Sequence, residues 1–119
     1  MIVGIGTDIV DIRRIKKAIE NPRFLKKIFT EEEIFQTNGR SSSLAGNFAV
    51  KEAVSKALRT GFCGFGPREI EVLRKESGEP YVNLYGNALD KMKEQEIRHF
   101  FISISHETEY AIGYVIAEK

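Results

Sequence analysis

The stretch Phe48-Ala-Val-Lys-Glu-Ala-Val-Ser-Lys-Ala-Leu58 decides the fold, because it is the clearest helix in the chain. It is rich in Ala, Lys and Glu and lacks Gly and Pro, a composition that favours a helix. Glu52 and Lys56 lie one turn apart, and such a pair is most often a solvated surface pair. The apolar residues recur at spacings of three and four, which predicts a stripe that faces a core. This stripe comprises Val50, Ala53, Val54, Ala57 and Leu58.

A second carboxylate lies in the opening run Met1-Ile-Val-Gly-Ile-Gly-Thr-Asp-Ile-Val10, which has the composition of a strand. Two-residue alternation puts Gly4, Gly6 and Asp8 on one face of that strand. Glycine weakens a strand, so we expect another backbone or a ligand to approach this face, with Asp8 at its end. A carboxylate here could instead cap the next helix, but Asp11 is better placed for that role.

The length and composition of the chain predict a single domain of residues 1–119. With 119 residues, of which 42% are hydrophobic and 29% charged, the chain can bury one modest core. The lone Cys63 cannot form an intrachain disulfide, and no apolar run approaches the roughly 18 residues of a membrane span. No signal-peptide pattern opens the sequence. We therefore expect a cytoplasmic protein with no membrane segment.

Helices and hairpins follow one another without regular strand–helix alternation, which predicts the α+β class. The segment from Asn38 to Ser43 is predicted to be a loop whose serines cap the long helix. The other predicted elements are a helix capped by Asp11 and ended by Asn21-Pro22, a short helix opened by a capping box at Thr30 and Glu33, a hairpin around Ser77-Gly78, a helix from about 87 to 95, and a last hairpin that turns near Thr108.

Positive charge is concentrated between Arg13 and Lys27. This segment has seven basic residues and one acidic residue, a charge of +6, whereas the whole chain carries only +1. A charged run of this kind often serves solubility alone. The alternative is a docking surface for an acidic partner. The sequence pattern leaves both interpretations open.

Three motifs, in this order, closely resemble the holo-[acyl-carrier-protein] synthases, the small 4′-phosphopantetheinyl transferases. They are Gly-Ile-Gly-Thr-Asp-Ile-Val (4–10), Phe-Ala-Val-Lys-Glu-Ala-Val-Ser-Lys-Ala (48–57) and Ser-Ile-Ser-His-Glu (103–107). The resemblance covers essentially the whole chain. It implies an α+β fold with a mostly antiparallel sheet packed on a long helix, and a homotrimer with sites at subunit interfaces.

The resemblance also implies an activity in fatty acid biosynthesis. Such enzymes transfer the 4′-phosphopantetheine group of coenzyme A to a serine of an apo-acyl-carrier protein and release adenosine 3′,5′-bisphosphate. Asp8 and Glu52 would hold Mg²⁺, which takes oxygen ligands and keeps several waters. Lys56 would contact a phosphate of the substrate. Glu52 would accept the serine proton, directly or through a water on the metal.

The coenzyme site is implied by the Ser-x-Ser-His motif, which contains Ser105 and His106. A histidine at the end of a strand is by spacing alone more often structural, and the resemblance reverses that preference. Family members often carry Arg just before the Phe-Ala of the long helix, where this chain has Asn47. An amide brings no charge to the 3′-phosphate of the coenzyme, so Lys51 or Arg59 would have to compensate.

The resemblance assigns the basic segment to an acidic acyl carrier protein, through Arg14, Lys17 and Arg23. Two other classes of protein could use the same features. A metal-dependent nuclease would need a basic track along a nucleic acid, and here the positive charge is confined to one segment, so no nucleic-acid partner is expected. A non-catalytic carrier-protein binder would need only the basic helix, and Asp8 and Glu52 would then be dispensable.

Overall fold

A long helix lies across one face of an antiparallel sheet in the computed structural model, which describes residues 1–119. The chain forms five strands and five helices, with a 3₁₀ turn at Pro67–Glu69. In chain order they are β1 (Ile2–Asp11), α1 (Ile12–Ala18), α2 (Pro22–Ile28), α3 (Glu31–Thr37), α4 (Ser41–Ala57), β2 (Ile70–Arg74), β3 (Pro80–Leu84), α5 (Gly86–Glu94), β4 (His99–His106) and β5 (Tyr110–Glu118).

Two antiparallel sheets carry the strands. The larger has the order β1-β5-β4, so β1 and β4 are its edges, and β2 pairs with β3 in a separate hairpin. The long helix α4 packs against the larger sheet and also contacts β2. The predicted α+β class, with a mostly antiparallel sheet packed on a long helix, is confirmed. None of the helices combines the length and the apolar composition that a membrane span needs.

Glycines on the inner face of the larger sheet allow the α4 backbone to lie directly against it. A Cβ atom at Gly4 or Gly6 would overlap the backbone carbonyl of Ala57 or Ala53, respectively. Gly113 of β5 meets the same helix backbone. Of the two expectations for the glycine face, a backbone or a ligand, the first is therefore correct for these glycines, and α4 is that backbone.

The hydrophobic core lies around α4. The predicted stripe is correct, because every member is fully buried. A second cluster packs around the N-terminal half of the helix, against α1 and α2. Its buried members include Ile12, Ile15, Ile28, Phe29, Leu44 and Ala49.

The helix caps of α1 and α3 are those that the sequence predicts. Asp11 accepts a hydrogen bond from the Arg13 backbone N–H at 2.9 Å, and so caps α1. The capping box is complete, because the Glu33 N–H donates to Thr30 Oγ1 and the Thr30 N–H donates to Glu33 Oε1. These local hydrogen bonds fix where the two helices begin.

The predicted loop from Asn38 to Ser43 is wrong in its second half. Helix α4 already begins at Ser41, after Arg40, and no side chain caps it. Asn38 and Gly39 both have positive φ angles, 55° and 67°, and this left-handed pair ends α3 within two residues. The serines therefore lie in the first turn of α4 and do not cap it.

Helix α2 was not expected, because Asn21-Pro22 was interpreted only as the end of the preceding helix. The same two residues also start a helix. Asn21 accepts a hydrogen bond from the Arg23 backbone N–H at 2.9 Å, and Pro22 occupies the first turn, where its missing N–H is not needed. Arg23 therefore lies at the start of α2.

Candidate functional site

Asp8 and Glu52 line one pocket, which we call the carboxylate pocket. Asp8 lies on the inner face of the edge strand β1, one alternation beyond Gly6, and Glu52 lies on α4 one residue before Ala53. The close packing of Gly6 on Ala53 thus brings together two carboxylates that are 44 positions apart in the sequence. The pocket is also lined by Asp11, Arg14, Ile15, Ala18, Phe24 and Phe48.

Asp8 and Glu52 interact electrostatically. Partial burial raises the pKa of the Glu52 carboxyl above its ordinary value, and the negative charge of Asp8 raises it further, whereas Lys56 acts in the opposite direction. Lys56 Nζ donates to the Thr7 carbonyl at 2.8 Å and lies 3.4 Å from Asp8 Oδ1. That carbonyl is accessible because β1 is an edge strand. Two carboxylates thus share a single cationic partner.

This donor set fits a magnesium ion. Mg²⁺ takes oxygen ligands, commonly one or two carboxylates together with waters and substrate phosphates. The like-charge repulsion that raises the Glu52 pKa is what a divalent cation would relieve. Nowhere in the chain do three or more His, Cys, Asp or Glu side chains form a metal-binding group. The site therefore offers two protein ligands and leaves the remaining positions to water and substrate.

His106 lies at the end of β4, the opposite edge of the sheet, and lines a different pocket. Neighbouring strands lie about 4.8 Å apart, so β5 separates β4 from β1 by about 10 Å in total. The carboxylate pocket and this His106 pocket share no residue. The structure therefore does not bring His106 to Asp8 and Glu52 within one chain. The His106 pocket is lined by Ser42, Ser43, Arg74, Gly78, Pro80, Ile104 and His106.

Ser105 lies on the outer face of the larger sheet, away from α4. It pairs with Ile112 in the register of β4 and β5, and both side chains are on the same face. A shallow third pocket there contains Ser105, His106 and Ile112 together with Ile9 of β1. Ser105 thus shares this third pocket with His106 but does not line the His106 pocket.

Lys51, which was expected at the coenzyme site, is fully buried in this structure. Its ammonium donates to Glu33 Oε1 at 2.7 Å and to the carbonyls of Pro67 and Ile70. Burial lowers the pKa of Lys51 and raises that of Glu33, and the charge of each partner opposes the shift of the other. The side of α4 that carries Lys51 is covered by α3 and β2. The Lys51 ammonium therefore makes its hydrogen bonds inside the protein core.

Asn47 is also fully buried, and its side-chain atoms bond within the chain. Its Nδ2 donates to Glu33 Oε2 at 3.2 Å and to the Val72 carbonyl at 3.1 Å. Its Oδ1 accepts a hydrogen bond from Arg74 Nη1 at 2.6 Å. The contact of Asn47 with the coenzyme stays a prediction, and Arg74, the hydrogen-bond donor to Asn47, is the side chain that lines the His106 pocket.

Arg59 and Arg74 differ in their access to the His106 pocket. Arg59 follows the C-terminal end of α4 and its Nη2 donates to Gln95 Oε1 at 3.4 Å, far from the serines at the other end of the helix. Arg74 ends β2 and lines the pocket directly. Sequence reasoning missed Arg74, because it belongs to no motif and lies 27 positions from Asn47.

The basic residues assigned to a carrier protein are all exposed. Arg14 lies on the wall of the carboxylate pocket, and Lys17 is one turn further along α1. Arg13 is instead paired with Asp11 at 2.9 Å and with Glu109 at 3.5 Å. Arg14, Lys17 and Arg23 form no ion pair within the chain. Their charges therefore remain available beside the carboxylate pocket.

Comparison with known proteins identifies the class to which this fold and site belong. A family model of the 4′-phosphopantetheinyl transferase superfamily matches residues 4–115. The chain therefore belongs to the 4′-phosphopantetheinyl transferase superfamily. The holo-[acyl-carrier-protein] synthase of Clostridium botulinum strain Alaska E43 is 56% identical over 122 residues, which cover 99% of this chain and 98% of that protein.

Solved structures give the same result at the level of the fold. A holo-[acyl-carrier-protein] synthase from Neisseria meningitidis has a TM-score of 0.88 at 37% identity and covers 100% of both chains. The enzyme from Helicobacter pylori, in complex with coenzyme A, has a TM-score of 0.86 at 35% identity and covers 96% of this chain and 99% of its own. These matches confirm the resemblance drawn from the three sequence motifs.

Proposed function

We propose that this protein transfers the 4′-phosphopantetheine group of coenzyme A to a serine of an apo-acyl-carrier protein, in fatty acid biosynthesis. The observation that carries the proposal is the carboxylate pocket, where Asp8 and Glu52 meet and Lys56 contacts Asp8, in a chain of the transferase superfamily. The similar Helicobacter pylori enzyme is in complex with coenzyme A, which supports the choice of donor.

Asp8 and Glu52 would hold Mg²⁺ in this reaction. When bound, the metal supplies charge neutralisation at the pyrophosphate of coenzyme A. Lys56 is one turn beyond Glu52, and its ammonium already lies between Asp8 and the Thr7 carbonyl, so it is positioned to bind a phosphate oxygen of the substrate.

Glu52 is the group proposed to accept the proton of the attacking serine. Its carboxylate lines the carboxylate pocket, and in the metal-free protein partial burial raises its pKa above the ordinary value. The serine oxygen forms a bond to the phosphorus that carries the pantetheine arm, and the bond from that phosphorus to the bridging oxygen breaks. The proton moves to the Glu52 carboxylate, and the leaving group is adenosine 3′,5′-bisphosphate.

The proposal includes a homotrimer whose sites lie between subunits. Within one chain the carboxylate pocket and the His106 pocket are separate, so a substrate that contacts both needs a second copy. The outer face of the larger sheet favours such an assembly, because it exposes a contiguous set of large apolar side chains. These include Ile5, Ile9, Phe101, Ile112 and Tyr114, of which Ile9 is 63% exposed.

The exposed basic residues are proposed to dock the carrier protein. Arg14 is on the wall of the carboxylate pocket, so an acidic protein bound to α1 and α2 would present its serine near Glu52. A cytoplasmic location is part of the same proposal. It is supported by the free, exposed thiol of Cys63, which is typical of a reducing compartment.

One assay tests the activity. The protein is incubated with coenzyme A, magnesium and an apo-acyl-carrier protein, and the carrier is analysed by mass spectrometry for added phosphopantetheine. We expect the full mass increase on the acceptor serine and none when that serine is replaced by alanine. A carrier that is bound but never modified would contradict the proposal and favour a non-catalytic binder.

A further inference from the structure

Arg74 has a positive charge that the chain itself does not neutralise. Its guanidinium is half-buried and forms no ion pair, and its side chain has one hydrogen-bond partner, the neutral Oδ1 of Asn47. The nearest carboxylate of this network, Glu33, is already paired with the Lys51 ammonium at 2.7 Å. The network of Glu33, Lys51, Asn47 and Arg74 therefore has one surplus positive charge, and it lies at the Arg74 end.

Asn47 fixes the position of that charge. The amide nitrogen is committed to Glu33 and to the Val72 carbonyl, so the amide oxygen must point the other way, towards Arg74. The guanidinium is thereby held across α4 near Gly46, where a Cβ atom would lie 3.7 Å from Arg74 Nη2. One edge of the guanidinium binds Asn47, and the other N–H groups remain free.

The pocket that receives these free donors favours an anion. The His106 pocket contains two serine hydroxyls and an imidazole in addition to Arg74, and no carboxylate lines it. A phosphate monoester matches such a set, because its oxygens accept hydrogen bonds from a guanidinium fork and from hydroxyls at the same time. A carboxylic ligand would leave several of these donors unused.

We propose that Arg74 binds the 3′-phosphate of coenzyme A, and that Asn47 acts as its positioning residue. This inference rests on the transferase function proposed above. It accounts for the missing charge at position 47, because Arg74 provides a guanidinium from β2 where position 47 of α4 provides only an amide. The 3′-phosphate would thus be recognised by a residue outside the three sequence motifs.

The test compares nucleotides with and without the 3′-phosphate. Calorimetry measures binding of adenosine 3′,5′-bisphosphate and of adenosine 5′-monophosphate to the parent protein and to Arg74→Gln, a variant that can still donate to Asn47. We expect the affinity for the bisphosphate to fall at least about tenfold and the affinity for the monophosphate to stay unchanged. Equal losses for both nucleotides, or no loss for either, would overturn the inference.

Lys75→Gln is the matched control. Lys75 is the next residue in the chain, is exposed, and pairs with Glu79 at 2.7 Å on the surface. The same loss of one charge there should leave both affinities as in the parent protein. If Lys75→Gln reproduced the effect of Arg74→Gln, the loss of affinity would come from the overall electrostatic potential of the protein and not from a direct contact. The inference would then fail.

Two further measurements cover the other outcomes. If Arg74→Gln melts below the assay temperature, Arg74→Lys replaces it; we expect a partial loss of the preference for the bisphosphate, and an unchanged preference would refute the proposal. In transfer kinetics, Arg74→Gln should raise the KM for coenzyme A and leave the KM for dephospho-coenzyme A unchanged. A protein that fails to transfer but still discriminates the two nucleotides through Arg74 would refute the proposed function alone.

Discussion

Helix α4 has a Glu–Lys ion network on one side and a carboxylate–Lys cluster on the other, and the two have opposite roles. On the side that faces α3 and β2, Lys51 and Glu33 are both fully buried and pair at 2.7 Å. On the side that faces β1, Lys56 is exposed and lies 3.4 Å from Asp8, and its charge also acts on Glu52. The chain neutralises the first cluster and leaves the second with an excess of negative charge.

This difference indicates which charged residues are available to a ligand. A buried pair whose hydrogen bonds are all made within the chain has no free donor or acceptor for a substrate, even when it lies in a motif that resembles a binding site. A half-exposed cluster with unequal charges attracts a counter-ion, and in the carboxylate pocket that counter-ion would be a metal. Lys51 and Glu52 are adjacent in sequence, yet only Glu52 lines the carboxylate pocket.

The largest effect is expected from the loss of the proposed metal ligands. Asp8→Ala and Glu52→Ala should each lower the transfer rate at least about a hundredfold, because charge neutralisation by a metal contributes several kcal/mol to the transition state. Thermal unfolding should change little, since both side chains lie in a solvent-accessible pocket. Near-normal activity of either variant at limiting magnesium would show that the ligands are elsewhere.

The same substitution on the two sides of α4 tests the comparison directly. Lys51→Met should reduce the free energy of unfolding by about 3–5 kcal/mol, because it leaves the Glu33 carboxylate buried without its cation. Lys56→Met should change stability by less than about 0.5 kcal/mol and should instead lower kcat/KM for coenzyme A. Urea unfolding and steady-state kinetics measure both.

If the two variants behaved alike in either assay, the distinction between a structural and a substrate-binding lysine would be lost. Lys51→Met with normal stability would mean that Glu33 is protonated in the folded state, a possibility consistent in direction with its raised pKa. An unstable Lys56→Met would instead assign Lys56 to the fold.

Much of this architecture could be predicted from the sequence. The α4 stripe follows from periodicity, and the close approach of a backbone or a ligand to Gly4 and Gly6 follows from their missing side chains. The burial of Lys51 and Asn47 could not be predicted, because polar residues satisfied by tertiary partners leave no periodic signal. Helix α2 was missed since one Asn-Pro pair both ends and begins a helix.

The pairing of residues in the site shows the same limit. Asp8 and Glu52 were brought together by the family resemblance, because nothing in the spacing of two residues 44 positions apart predicts a contact. No motif contains Arg74, so only its hydrogen bond to Asn47 reveals it. The long-range polar contacts of the site could therefore be identified only from the structure.

A smaller effect is expected for the basic surface beside the carboxylate pocket. Arg14→Glu should raise the KM for the acyl carrier protein several-fold and leave the KM for coenzyme A nearly unchanged, because it replaces an attraction to an acidic partner by a repulsion. Raising the salt concentration should weaken carrier-protein use by the parent and narrow its difference from the variant, since exposed charges are screened over about 8–10 Å.

Lys16→Glu is a suitable control for Arg14→Glu, because Lys16 is also exposed on α1 but does not line the carboxylate pocket. Kinetics with each substrate varied, at two salt concentrations, decide the matter. If the KM for the carrier protein responded to neither Arg14→Glu nor salt, the basic segment would be a solvated surface that does not bind the carrier protein.

The smallest expected effect is the titration of Glu52 itself, measured without magnesium by carbon NMR of the side-chain carboxyl. Burial is the main cause of its raised pKa and the charge of Asp8 is the second, so Asp8→Asn should lower the pKa of Glu52 but leave it above the ordinary value. Because the folded protein holds this proton more tightly than the unfolded chain, Glu52 costs stability as the pH rises through its folded pKa. Asp8→Asn should reduce that cost slightly. A Glu52 pKa that rises or stays the same in Asp8→Asn would mean that the two carboxylates do not share one site.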